Sequence, residues 1–351
     1  MFFRFTGRDG LRAADNFCAA KAHLKKATKG RRLRLECLED RRMLSADPIT
    51  SDIVVTEPAV DASVDDSTAI ATPLIEVTPD AAAQITPSGY SPAQIKQAYG
   101  FNLVSGNGAG TTIAIVDAYN NPNIAADLKA FDAQFGLAAP PNFTVVSQTG
   151  STTALPANNK GWSLEIALDV EWAHAIAPGA NILLVEAKSS SLTDLMAAED
   201  YARNAAGVVV VSNSWGASEF STETSYDKHF VTPAGHQGVS FMVAAGDDGT
   251  PAEYPSSSPN VLSVGGTTLK LVNGVYSSET VWSDGGGGAS RYEAKPTFQA
   301  NVNTGGTHRG TPDVSLDADP STGFAVYDTY GASGWVKVGG TSASTPVWAA
   351  L

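Results

Sequence analysis

Residues 111–119 read TTIAIVDAY. Ile113, Ala114, Ile115 and Val116 are apolar without a break, so a strand here buries both of its faces. Four runs of the same texture follow: ANILLVEA (180–187), GVVVVSNSWG (207–216), VSFMVAAGDDG (239–249) and VLSVGGTT (261–268). Helical patterns lie between several of them, notably NIAADLKAFDAQFG (123–136) and SLTDLMAAEDYARNAA (191–206). Strands apolar on both faces and separated by helices predict an α/β fold, with a mostly parallel central sheet and helices on both faces. The globular texture begins within TPSGYSPAQIKQAYGF (86–101), where SPAQIKQAYG reads as a capped helix. No internal repeat is evident.

In such sheets functional groups gather beyond the C-terminal ends of strands. Those ends here carry Asp117, then Ser212-Asn213-Ser214-Trp215-Gly216, then Gly246-Asp247-Asp248-Gly249. A second signal lies in SLEIALDVEWAHA (163–175), where Glu165 and Asp169 stand one helical turn apart. Like charges at that spacing destabilise a helix by about 0.2–0.5 kcal/mol even in water. This helix is apolar nearly all round and should be packed inside, where the cost is higher. A third signal is VGGTSASTPVWAAL (338–351), which presents Ser342 at a tight turn heading a helix. Helix N-termini favour developing negative charge, so a hydroxyl there can meet a carbonyl that is to become an oxyanion. Taken singly, these strings also read as a solvated acidic edge, a strand end and a helix cap.

Taken together, they resemble the sedolisins, the serine-carboxyl peptidases built on a subtilisin-like fold. The resemblance rests on GTSAS, the E-x-x-x-D helix, AAGDDG, SNSWG and SPNVLSVGGTT, supported by AYGFNLVSGNGAGTTIAIVDAY, HAIAPGANILLVEA and PDVSLDADPSTGFAVYD. It runs from about Tyr90 to the last residue. It implies that Ser342 is the nucleophile, Glu165 its general base, Asp169 the group that hydrogen-bonds and tunes Glu165, and Asp247 the oxyanion donor. It also makes Ser214, Trp215 and Gly216 the strand that pairs with substrate. Two neighbouring carboxyls cannot both ionise cheaply and so share a proton. A carboxylate base works in acid, where a histidine is protonated, and only a protonated carboxyl can donate to an oxyanion. The expected activity is therefore an endopeptidase acting on proteins or peptides at acid pH. The alternative is a truncated, inactive surface or binding module of the same fold. The resemblance further implies a bound Ca2+ whose ligands would lie beyond Leu351, so no metal ligand is assigned and the C-terminal elements of the fold are expected to be cut short.

A histidine-based triad fits less well. Asp117 sits where its acid would lie, but His174, His229, His236 and His308 lack the matching context, and His174 is expected to pack or cap near the end of its helix. Asp313, Asp317 and Asp319 match no standard calcium loop and are expected to be structural. The GGGG run at 285–288 reads as a flexible turn, and Asp248 is expected to add charge beside Asp247.

Charge divides the 351 residues unevenly. Residues 1–45 hold 12 Lys and Arg against 5 Asp and Glu, a net +7, and the remainder carries −20. So acidic a body repels phosphates, which argues against a nucleic-acid partner. Both cysteines, Cys18 and Cys37, lie in the basic head. No apolar run reaches the roughly 18 residues of a membrane helix. Nor is there a conventional signal core of about 7–15 apolar residues. Instead RRLRLECLEDRRMLS (31–45) resembles a segment at the N-termini of large exported bacterial surface proteins. The expected organisation is a basic export-type segment (1–45), a disordered linker or short pro-segment (46–87) and a sedolisin-like peptidase domain (88–351). The protein is expected to be an exported monomer, extracellular or at the cell surface.

Overall fold

A computed structural model describes residues 69–77 and 86–351; the export-type segment and most of the expected linker lie outside the described residues. Two short strands come first, β1 (Thr72–Pro73) and β2 (Glu76–Val77), then helix α1 (Pro92–Tyr99). Strands and helices then alternate: β3 (Thr112–Ala118), α2 (Ile124–Phe135), β4 (Phe143–Ser147), α3 (Lys160–Ile176), β5 (Asn181–Ala187), α4 (Leu192–Asn204) and β6 (Val208–Asn213). A strand-rich stretch follows: β7 (Trp215–Ser218), β8 (Ser240–Ala244), β9 (Glu253–Tyr254), β10 (Leu262–Val272), β11 (Val275–Val281), β12 (Gly288–Ala294) and β13 (His308–Thr311). The last elements are β14 (Val314–Asp317), β15 (Phe324–Asp328), β16 (Gly334–Gly339) and helix α5 (Thr341–Ala350).

The main sheet runs β4-β5-β3-β6-β8-β10, every neighbouring pair parallel. β14 joins β10 in parallel, and β11 closes the edge antiparallel. Strand alternation divides the interior into two cores. Ile113 and Ile115 of β3 pack with Trp172 of α3, Phe131 of α2 and Val347 of α5. Ala114, Val116 and Ala118 face the opposite way, toward Leu195 of α4, Trp215 and Phe241. Each fully buried large side chain contributes about 1.5–3 kcal/mol relative to exposure. The expected subtilisin-like α/β architecture, a sheet covered on both faces, is what forms.

The same alternation positions chemistry. Asp117 shares the face of Ile113 and Ile115, so it points toward α3 rather than toward α4. Helix α3 begins where the Asn159 side chain accepts from Gly161 N–H (2.8 Å) and Trp162 N–H (3.2 Å). From Glu165 to Ile176 every residue of it is buried, as its apolar circumference predicts.

Within the stretch expected to be a disordered linker or a short pro-segment, residues 69–77 form two short strands. β1 pairs antiparallel with β7, and β2 pairs antiparallel with β16. The glycine run departs from the expected flexible turn. Gly286 and Gly287 are buried, and Gly286 N–H donates to the Gly246 carbonyl at 2.6 Å. A Cβ on Gly286 would strike the Ala245 and Gly246 backbone. Glycine is needed there for close approach of two chains, not for flexibility. The aspartates at 313–319 are structural: Asp313 grips the fully buried Arg309 guanidinium (2.5 and 2.8 Å), and Asp317 accepts from Leu269 N–H (2.9 Å) and the Thr322 hydroxyl (2.8 Å). Among the described residues no helix is long and apolar enough to cross a membrane.

Candidate active site

Ser342 is the second residue of α5, and the turn that presents it depends on Gly340. Gly340 has φ +95°, a conformation that L side chains avoid. A Cβ there would also collide with the Leu74 carbonyl oxygen, Asp247 Oδ2 and Ile75 Cα. The turn brings Ser342 Oγ to 3.0 Å from Glu165 Oε2 and 3.2 Å from the Ser214 carbonyl oxygen, with one proton to give. Both Ser342 and Glu165 are wholly buried.

Asp169, one turn along α3, accepts from Ser214 Oγ at 2.8 Å. Ser214 thus braces the site twice, its hydroxyl on Asp169 and its carbonyl beside Ser342. Glu165 Oε1 and Asp169 Oδ2 find no donor, and neither does either oxygen of Asp117. Burial first, then the Asp169 and Asp117 charges, hold the Glu165 carboxyl well above its ordinary range. Burial and Asp117 do the same to Asp169. Burial alone pushes Asp117 up to about 8. Three carboxyls in one dry space cannot all ionise, so the cluster holds protons that the same residues would release in water.

Asp247 lies across the site from this cluster, at the end of β8. Its Oδ1 accepts from Thr341 N–H (2.7 Å) and Thr341 Oγ1 (2.9 Å), and its Oδ2 has no partner. Burial pushes Asp247 up to about 8 against the pull of Thr341. A proton on this carboxyl therefore sits on Oδ2, the atom that faces the cleft at Gly340. Gly246, with φ +114°, makes the turn from β8 into Asp247.

The structure thus brings Ser342, Glu165, Asp169, Asp247 and Ser214 together. Trp215 is anchored below by Nε1 on the Val116 carbonyl (2.9 Å), while its backbone and that of Gly216 are paired with Pro73 and Thr72. Two members of the site have no such role in the sequence. Thr341 stands in GTSAS without a local partner, and its hydroxyl meets Asp247 only through tertiary structure. Asp117 fits the acid of a histidine triad, but its period-two position on β3 sets it with Glu165 and Asp169. His174 does pack, 2.9 Å from the Ala138 carbonyl and 3.3 Å from Asp132. Asp248 is exposed; burial first and then the Asp248 charge raise Glu253, and burial followed by Asp284 and Asp248 raises Glu76. Among the described residues no group of three or more His, Cys, Asp or Glu side chains is placed to hold a metal ion.

Comparison with known proteins bears on the family to which the chain belongs. Residues 147–351 match the subtilase family, and residues 29–48 match a segment described as Planctomycete extracellular. Kumamolisin of Bacillus sp. (strain MN-32) is 33% identical over 295 residues, covering 76% of this chain and 52% of its own length. Sedolisin of Pseudomonas sp. (strain 101) is 32% identical over 317 residues, covering 80% and 53%. The chain spans about half the length of these curated relatives. A solved structure of Pseudomonas sedolisin, a serine-carboxyl proteinase complexed with two molecules of pseudo-iodotyrostatin, superposes with a TM-score of 0.65 at 32% identity, covering 76% of this chain and 80% of that one. The chain belongs to the subtilase family and, within it, to the sedolisins.

Proposed function

We propose that the protein is an exported endopeptidase that hydrolyses peptide bonds in acid through Ser342. The observation that carries this reading is the 3.0 Å contact between the Ser342 hydroxyl and a buried Glu165 carboxylate, with the unpartnered Asp247 Oδ2 across the cleft. The Ser342 hydroxyl supports the charged form of Glu165 as the Ser214 hydroxyl supports that of Asp169, so the pair shares one charge, and Glu165 is the member in contact with the Ser342 hydroxyl. When Glu165 carries that charge, Asp169 and Asp117 are neutral beside it. Glu165 takes the Ser342 proton as Oγ attacks the carbonyl carbon, then passes that proton to the leaving amine. The oxyanion is met by the Ser342 N–H and by Asp247, which donates its Oδ2 proton. Water then repeats the sequence on the acyl-enzyme and releases the acid product.

This arrangement has a sign in pH. Activity rises as the acid cluster takes its first charge. It falls when the cluster becomes doubly charged or when Asp247 loses its proton, and the second event lies at about 8. Export is supported by the match of residues 29–48 to the Planctomycete extracellular segment. The test is hydrolysis of denatured casein by the purified full-length protein. Ser342→Ala should lower the rate by about 10⁴-fold or more while leaving the circular dichroism spectrum unchanged. Activity that survives the substitution would remove Ser342 as nucleophile. A wild-type protein inert at every pH would favour a binding module of the same fold.

A further inference from the structure

Residues 219–239 leave β7, which walls the cleft, and enter β8, which ends at the turn into Asp247. After Phe230 this segment contains no helix or strand, and most of residues 231–238 are exposed. Four contacts tie it back to the end of α4 and the start of β6. Arg203 Nη1 donates to the Val231 carbonyl (2.9 Å), and Gln237 Nε2 donates to the Val208 carbonyl (3.4 Å). The other two contacts are made by histidines.

His236 stands with both ring nitrogens against carbonyl oxygens, Nδ1 2.9 Å from that of Gln237 and Nε2 3.1 Å from that of Ala205. Two acceptors require two N–H groups, and an imidazole has two only when it is protonated. A neutral ring turns a lone pair on one of the two oxygens. Ala205 is the C-cap of α4, where a helix leaves carbonyls unpaired and favours positive charge. His229 Nδ1 lies 2.9 Å from Asp200 Oδ1 but out of line for a hydrogen bond, so that contact attracts only when the ring is charged. It is the weaker of the two, because Asp200 is 40% exposed and already paired with Arg203.

The other charged groups nearby do not compete for these rings. From α4 the pair meets Asp200 and Arg203, and β6 offers only the Val208 carbonyl. Within the segment, Glu219 accepts from Arg291 N–H, Glu223 from Phe220 N–H and Ser257 Oγ, and Asp227 from Tyr254 Oη. Lys228 is exposed, and the Tyr226 ring lies against His229 with centroids 6.1 Å apart.

We propose that His229 and His236 form an acid-fastened latch that holds the β7–β8 segment on α4. Histidines in general gain their proton below about pH 6.5. With both rings charged the segment has all four ties. As pH rises the two histidine ties are lost, and those of Arg203 and Gln237 remain. The contribution is therefore present in acid and absent toward neutral pH. One consequence rests on the peptidase reading above. An exposed segment without regular structure is a target for cleavage, and the latch withholds this one from neighbouring copies at the pH where they cut.

Hydrogen exchange read by mass spectrometry at pH 5 and pH 7.5 tests the latch on full-length Ser342→Ala protein, in which self-cleavage cannot intervene. After correction for intrinsic exchange rates, protection of residues 227–238 should be about tenfold greater at pH 5. With His229→Gln and His236→Gln combined, the two values should agree within about threefold, and at pH 7.5 the variant should match its parent. Equal protection of the parent at both pH values overturns the latch, and that comparison needs no histidine variant. A pH dependence that persists in the double variant also overturns it, because the proton then acts elsewhere. With Ser342 intact, the double variant held at pH 5 should be cut within residues 227–238 about fivefold faster than wild type, as followed by intact mass. Equal rates of cutting overturn the protective role and leave the latch standing. A protein that cuts neither itself nor casein overturns the peptidase reading, while the exchange measurement still decides the latch.

Discussion

Two groups of buried acids sit in this molecule, and they are built differently. Glu165, Asp169 and Asp117 meet beneath Ser342; Glu223, Asp227 and Glu293 meet near Tyr254 on the far side of β7. Both groups are pushed toward their neutral forms, chiefly by burial: Asp117 to about 8, Glu223 to about 9, Glu293 to about 8. What differs is the satisfaction of their oxygens. Glu223 accepts from Phe220 N–H (2.8 Å) on one oxygen and Ser257 Oγ (3.2 Å) on the other, and the Arg309 charge acts on Glu293. In the second group one carboxyl oxygen, Glu293 Oε1, finds no donor; in the first group four find none, and the charged groups acting on Glu165 are all acids. A perturbed carboxyl alone therefore does not mark a site. Unmet oxygens facing a hydroxyl at a helix start, beside a strand-binding cleft, do.

The sharpest way to break that distinction is Glu165→Gln. The amide keeps the shape and the contact with Ser342 but cannot accept its proton. Casein hydrolysis should fall by about 10²–10⁴-fold, the range expected when a catalytic base is lost. Thermal unfolding should barely change, since a charge-prone group is replaced by a neutral one. A rate within tenfold of wild type would mean that Ser342 gives its proton elsewhere, the Ser214 carbonyl being no alternative base.

Asp247 gives the next largest effect and separates two explanations of the alkaline limit. Asp247→Ala removes one oxyanion donor and should cost about 10²–10³ in rate, or about 2.7–4 kcal/mol. Asp247→Asn should be milder, because its amide N–H₂ can donate from the Oδ2 position while Oδ1 still accepts from Thr341. Its donor does not titrate, so the alkaline limb should move upward from the wild-type position. If the limb stays in place in Asp247→Asn, the limit belongs to the second ionisation of the Glu165 cluster.

Legibility in the sequence followed periodicity. TTIAIVDAY and SLEIALDVEWAHA announced strand and buried helix because their apolar residues repeat at spacings that only those elements bury, and the acids stood out against that background. The nucleophile's turn was readable because Gly340 and Ser342 stand two positions apart in the chain. Residues 69–77 were not readable. They pair in stretches of two residues, too short for any period, and their order comes from the walls of the cleft. The glycine run 285–288 misled for the related reason that glycine signals close approach as well as freedom, and only the partner backbone at Gly246 decides which. Thr341 and Asp247 are 94 positions apart, a contact that nothing local could announce.

The smallest effect concerns the second group of acids and the pH dependence of the fold. For Glu223, Glu293, Glu199 and Glu186 the folded protein binds the proton more tightly than the unfolded chain does, with values of about 9, 8, 8 and 8 against an ordinary 4.5. Their favourable contribution is complete below about pH 4.5 and is lost as pH rises toward 8–9. The net −20 of residues 46–351 adds self-repulsion in the same direction. Tm should therefore be highest in acid and fall steadily from pH 5 to 8, the reverse of a protein held by ionised carboxylates. Glu223→Gln isolates one contributor. Its side-chain carbonyl can still accept from Phe220, and its amide can donate to Ser257 in place of the bond it received. The variant should match wild type at pH 4 and exceed it at pH 8 by a few degrees, about 2–4 °C for each kcal/mol recovered in a domain of this size. Casein hydrolysis should stay within about twofold, because no part of this group touches the cleft. A large loss of activity in Glu223→Gln would mean that the two acid groups act as one system, since the Glu165 site would then depend on donors that Glu223 holds in place.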